Sequence, residues 1–172
     1  MRVVLSALFL VLAAVVQVSV LPPFLGDRVN VDLVLIVVVA WGIIRGVQEG
    51  LLWGLIAGLI LDVVSVVPFG TTMVVLGLIG LLSGIRGRWG WRSSTLTALV
   101  VAAVASIVYY VLLMGIVALF GREWHWLTIF WGIVLPAVMI NAIAMLPVFW
   151  LLDRFNRRID PDRNKNLVRT HV

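Results

Sequence analysis

Within the run "GLLWGLIAGLILDVVSVVPFG", residues 50–70, a single acidic residue, Asp62, stands among leucines and valines. A carboxylate in such surroundings has two uses. It can exchange a proton or hold a cation, or it can accept hydrogen bonds that apolar neighbours cannot supply. The first use needs company, and no lysine, arginine or histidine lies inside an apolar run to complete a relay. Asp32 opens an earlier apolar run, and Asn141 lies in the last one between Pro136 and Pro147. Glu123 and His125 share a polar break, but two residues make a poor metal site. His171 belongs to the polar C-terminal segment and reads as solvated. No nucleophile–base pair, phosphate loop or metal cluster is present, so neither an enzyme nor a bound cofactor is expected. With no cysteine in the chain, disulfides and thiolate chemistry are excluded. Asp62 is therefore read as a structural clasp, bonding to backbone or hydroxyl donors near the Pro68–Gly70 turn or on a neighbouring helix.

The spacing before Asp62 supports that reading. Gly50, Gly54, Gly58 and Asp62 recur every fourth residue, which on a helix forms one slowly winding stripe. Glycine lets a second backbone approach closely, and close packing drives helix association in lipid. The stripe predicts an interhelical seam with Asp62 on its continuation and Trp53 on a different, more tolerant face. Pro68, Phe69 and Gly70 then end the helix and turn the chain into the next one.

The elements that carry these residues follow from composition. The 172 residues are 63% hydrophobic and only 12% charged, with a mean hydropathy of +1.16. A soluble core of this size cannot hide so much apolar surface, so the solvent is a bilayer. An all-α integral membrane bundle of six transmembrane helices is expected, with spans near 3–20, 31–45, 50–67, 71–86, 95–119 and 127–151. The break at "RGVQEG" is required: a single helix from Val31 to Val67 would be about 55 Å long. Residues 1–152 form the helical domain and residues 153–172 a short, loose basic tail. The first run is read as a span and not a cleaved leader, because its apolar stretch is long and no small-x-small site follows it.

With both termini cytoplasmic, eleven of the 13 basic residues fall on the inner side, among them Arg86, Arg88, Arg92, Arg154, Arg157 and Arg158. Only Arg28 and Arg122 fall outside, as the positive-inside rule requires. The inner bases also suit anionic lipid headgroups. No nucleic-acid partner is expected, and a homo-oligomer stays open.

The arrangement resembles the rod shape-determining MreD family. The resemblance rests on the short multi-span chain, on Asn30-Val31-Asp32-Leu33, where the family commonly shows Pro-Asp-Leu, and on the third span. There Gly50, Leu51, Gly54, Gly58, Asp62, Ser65, Pro68, Phe69 and Gly70 are similar to a G-x-x-x-G…D-x-x-S-x-x-P-x-G pattern. About forty residues carry it, and the rest agrees in hydropathy. The resemblance implies a non-enzymatic scaffold of the bacterial cell-elongation and peptidoglycan-synthesis machinery in the cytoplasmic membrane. It implies binding to an MreC-like bitopic protein and, through it, connection to MreB, RodA and a class-B penicillin-binding protein. The seven residues Gly50, Gly54, Gly58, Asp62, Ser65, Pro68 and Gly70 would then be the helix-packing or partner interface.

A rival of similar length and hydropathy is the substrate-binding subunit of an energy-coupling-factor vitamin transporter. That function needs a polar or aromatic solute pocket and a small-residue face on the first span. The outer breaks offer few polar groups, and Ala7, Ala13 and Ala14 do not fall four apart.

Overall fold

The computed structural model describes Gln17 and residues 31–64, 68–87, 95–119 and 126–159. The described residues are helical throughout their regular structure, with no strand. Helix α1 covers Leu33–Arg45, α2 Val47–Val64, α3 Thr71–Gly87 and α4 Thr95–Leu119. A short α5, Trp126–Ile129, runs through a π-helical turn at Phe130–Val134 into α6, Leu135–Ile159. These match the second to sixth expected runs closely. The first run lies outside the described residues except for Gln17. Helix α6 continues to Ile159, so the first part of the expected loose tail is helical. The arginines at 154, 157 and 158 favour this extension, because straight-chain residues lose little rotamer freedom in a helix.

The chain reverses within one residue between α1 and α2. Gly46 has a φ of 96°, a left-handed value that an L side chain rarely adopts. A Cβ built on Gly50 would stand 3.0 Å from the Gly42 Cα, whereas eight residues along one helix span about 12 Å. The break required by helix length is therefore a hairpin. A second reversal at Gly70, φ 93°, joins α2 to α3.

Helix α1 occupies the centre. Every residue from Val34 to Arg45 is buried, and α1 touches α2, α3, α4 and α6. A helix apolar all round belongs in the interior, and the Leu33–Ile44 segment contains no charged residue to prevent it.

Helices α2 and α3 meet backbone to backbone. A side chain on Gly50 would overlap the Gly80 carbonyl, one on Gly54 the Leu76 carbonyl, and one on Gly58 the Met73 Cα. Gly80 answers reciprocally against the Gly50 carbonyl, and a Cβ on Gly84 would come within 2.5 Å of the Val47 Cα. Gly42 closes the contact from α1, where an added Cβ would lie 2.8 Å from the Gly80 carbonyl. Three helices thus converge on Gly42, Gly50 and Gly80.

Two helical segments, Thr95–Leu119 and Phe130–Asn156, are long and apolar enough to cross a membrane. They turn apolar ridges outward: Val100, Val104 and Val111 on α4, and Met139, Ile143 and Trp150 on α6 are all more than half exposed. The other three are shorter. With 13, 18 and 17 residues, α1, α2 and α3 measure about 20, 27 and 26 Å.

One sequence expectation is corrected. Trp53 is 4% exposed and belongs to the core, because α2 is covered by α1 as well as by α3. The tolerant position on α2 is Leu52, which is 52% exposed. Gly54→Leu is expected to push α2 from α3 and destabilise the protein by roughly 1–3 kcal/mol or more, whereas Leu52→Ala changes little. Thermal unfolding of the two variants in detergent checks this, and equal midpoints would refute the seam.

Candidate functional site

A helix start leaves its first N–H groups without intrahelical partners, and an apolar surrounding makes each one costly. Helix α3 meets this problem at Thr71. Asp62, on the neighbouring α2 and 4% exposed, answers it. Its Oδ2 accepts the N–H groups of Gly70 and Met73, each at 3.0 Å, and its Oδ1 accepts the Thr72 N–H at 3.0 Å. The Pro68 carbonyl accepts the Thr71 N–H at 3.1 Å, closing the turn. The carboxylate is also placed at the positive end of the α3 dipole. Asp62 thus stands on the far end of the glycine stripe as a cap for the next helix.

Helix α1 begins under the same constraint and solves it with other residues. Asp32 holds the N-cap position but makes no side-chain cap bond to its own helix. The Asn141 Oδ1 of α6 accepts the Asp32 N–H at 3.0 Å, and the Gln17 Oε1 accepts the Val34 N–H at 2.9 Å. The freed Asp32 carboxylate accepts the Tyr110 hydroxyl of α4 on Oδ2 and the Gln17 Nε2 on Oδ1 at 3.2 Å. Asn141 Nδ2 completes the chain by donating to the Ser106 Oγ of α4 at 3.2 Å. Asn141 and Ser106 are 0% and 1% exposed.

This cluster lies deep along the long helices. Tyr110 precedes the end of α4 at Leu119 by nine residues, about 14 Å. Helix α1 therefore starts beside the middle of α4 and α6. A helix start at such depth is tolerated where protein surrounds it and satisfies its backbone.

At the opposite end, Trp41, Arg45 and Glu49 bracket the Gly46 reversal. The Trp41 Nε1 donates to Glu49 Oε2 at 3.3 Å, the Arg45 Nε lies 3.6 Å from the same oxygen, and the guanidinium sits 5.6 Å from the Trp41 ring centroid. Each reversal is thus fixed by side chains reaching across it.

Of the residues singled out in the sequence, Gly50, Gly54, Gly58, Asp62, Pro68 and Gly70 form one strip along α2 and its turn. Ser65 lies outside the described residues, as do Arg88 and Arg92. Arg86 stands in the last turn of α3, and Arg157 and Arg158 in the last turn of α6. Arg154 is exposed, with its guanidinium 5.4 Å from the Trp150 ring centroid. Sequence reasoning noted Asp32 and Asn141 separately and missed that they meet, together with Gln17, Ser106 and Tyr110. The available signal was that each is a polar interruption of an apolar run. Among the described residues no group of acidic and histidine side chains is placed to hold a metal. A cleft of about 200 Å³ between α3 and α4 is lined by aliphatic side chains and Ser83, whose hydroxyl donates to the Ile79 carbonyl at 2.7 Å.

The Asp62 geometry sets an order for its variants. Asparagine keeps one oxygen able to accept two N–H groups but turns an NH₂ toward a third donor. Leucine leaves all three unpaired, at about 1–3 kcal/mol each. Asp62→Asn is expected to fold with an intermediate loss of thermal stability and Asp62→Leu with the largest. Circular dichroism melting in detergent measures both, and equal losses would show that hydrogen-bond acceptance is not what Asp62 supplies.

Neither a curated protein nor a solved structure matches the chain significantly. The family model described as rod shape-determining protein MreD matches residues 1–158, which is nearly the whole chain. The helical membrane-type architecture, the capped α2–α3 hairpin and this match lead to one assignment: the chain belongs to the MreD family of rod shape-determining membrane proteins.

Proposed function

We propose that this protein is a non-enzymatic scaffold subunit of the cell-elongation machinery in the bacterial cytoplasmic membrane, binding an MreC-like bitopic protein through its transmembrane helices. The observation that carries the reading is the use made of Asp62. The carboxylate in the glycine-rich segment is occupied by three backbone N–H groups, so it serves the shape of a hairpin and not the transfer of a solute or a proton. Family membership supports the rod-shape role. The outward apolar ridges of α4 and α6 supply surfaces on which another transmembrane helix can lie without a cost in desolvation. Through an MreC-like subunit, the scaffold would reach MreB, RodA and a class-B penicillin-binding protein. The basic residues Arg86, Arg88, Arg92, Arg154, Arg157 and Arg158 would face anionic lipid on the cytoplasmic side.

The experiment is affinity purification of the tagged chain from native membranes, with mass spectrometry of what accompanies it. An MreC-like protein is the expected companion. Its absence under conditions that retain other membrane complexes would refute the scaffold reading.

Six spans with both termini cytoplasmic remain part of the proposal, supported by the eleven-to-two distribution of basic residues. Single cysteines at Arg88 and Glu123 are expected to react with an impermeant maleimide from opposite sides of the membrane. Reaction of both from the outer side would overturn this topology.

A further inference from the structure

The helices fall into two groups held together by different physics. Within α1–α3, contact is backbone on backbone at Gly42, Gly50, Gly54, Gly58 and Gly80, and at those points no side chain is present to rearrange. Between this group and α4–α6, three observations point to a softer join. The α3–α4 contact opens into the aliphatic cleft between Ile79 and Leu82 on one side and Val100 and Val104 on the other. Among the described residues, the polar bonds that cross at the Asp32 level are Tyr110 to Asp32 and the Asp32 N–H to Asn141, while the Asn141–Ser106 bond joins α6 to α4 inside the second group. Finally, Asn141 is bracketed by two weak points of its own rod. The π-helical turn Phe130–Val134 lies before it, and Pro147, which removes a helix hydrogen bond, lies after it.

We propose that the bonds of Asp32 to Tyr110 and to Asn141 are a latch between two helix groups, and that their release lets α4 and α6, still joined through Asn141 and Ser106, swing from α1–α3 along the α3–α4 cleft. The weak points of the rod are the π turn with Pro136 just after it, and Pro147, where helix hydrogen bonds are displaced or missing. Asp62 takes no part, since its three bonds are internal to the α2–α3 hairpin. Any ligand or partner that fits the opened form better would then shift the population toward it.

The test uses spin-label pairs in the full-length protein in lipid nanodiscs, read by pulsed dipolar spectroscopy. One pair, at Leu82 and Val104, spans the cleft. A second, at Leu52 and Leu78, lies within the first group, and all four positions are exposed. Tyr110→Phe removes a bond across the boundary and Ser106→Ala one inside the second group, and both keep the packing shape. Tyr110→Phe is expected to raise a longer-distance population of the cleft pair by about fivefold, the equivalent of losing one ordinary hydrogen bond, and Ser106→Ala to leave that population unchanged. The α2–α3 pair should stay at its wild-type distance. A cleft distance unchanged in Tyr110→Phe, or lengthened equally in Ser106→Ala, would overturn the latch. Broadening of both label pairs together would overturn the division into two groups, and this outcome separates general unfolding from release.

Discussion

A helix that begins inside apolar surroundings exposes N–H groups that water cannot reach, and this constraint shapes the protein more than any other. Helices α1 and α3 both start under it. Each start is satisfied by a side chain from a different part of the fold: Asp62 of α2 for α3, and Asn141 of α6 with Gln17 for α1. The consequence reaches beyond the caps. Asp62 reaches Thr72 and Met73 only if α2 and α3 lie nearly in contact, and such contact is available only to helices without side chains at the seam. Gly50, Gly54 and Gly58 are therefore one device with Asp62. The glycines set the distance and the carboxylate uses it.

The same logic fixes the direction of the chain. Reversals at Gly46 and Gly70 take left-handed values of φ that favour glycine, and side chains lock each across the turn. With both reversals fixed, three short helices share one compact block. Its length, about 20 to 27 Å, is less than that of α4 or the α5–α6 rod. The long helices expose apolar ridges, as α3 does through Val74, Leu78, Leu82 and Ile85, while the glycine contacts belong to the short ones. Burial follows this division: α1 is enclosed along its whole length, while much of α4 and α6 is exposed.

Much of this was legible because the signals are local. Helix length forced the break at "RGVQEG", and the four-residue glycine period placed the strip on α2. A lone carboxylate six residues before a Pro-Phe-Gly turn lies within reach of that turn's donors. The Asp32 cluster was illegible for the opposite reason. Asp32 meets Tyr110 and Asn141 at separations of 78 and 109 residues, and no local period encodes such pairings. Trp53 shows a subtler limit. A stripe identifies one contact face of a helix, but α2 has two neighbours, and the second, α1, gave no separate periodic signal because it is apolar on every side.

The two kinds of join bear on what a membrane scaffold can do. In lipid there is no hydrophobic drive between helices, so an assembly must rely on close packing or on polar bonds. Glycine seams use the first and resist rearrangement, because backbone atoms have no alternative rotamers. The Asp32 cluster uses the second. Its bonds are directional side-chain contacts that exchange partners without disturbing the helices that carry them. A chain built wholly of seams would hold one shape, and a chain built wholly of polar contacts would leave many buried donors at risk. Here the glycine contacts are concentrated in α1–α3, where the bonds of Asp62 and of Trp41 with Glu49 close the reversals, while the Asp32 cluster ties the start of α1 to α4 and α6. A partner helix lying on the exposed ridges of α4 or α6 would meet the helices that hold the Asp32 cluster through Tyr110 and Asn141, and would leave the glycine contacts of α1–α3 untouched.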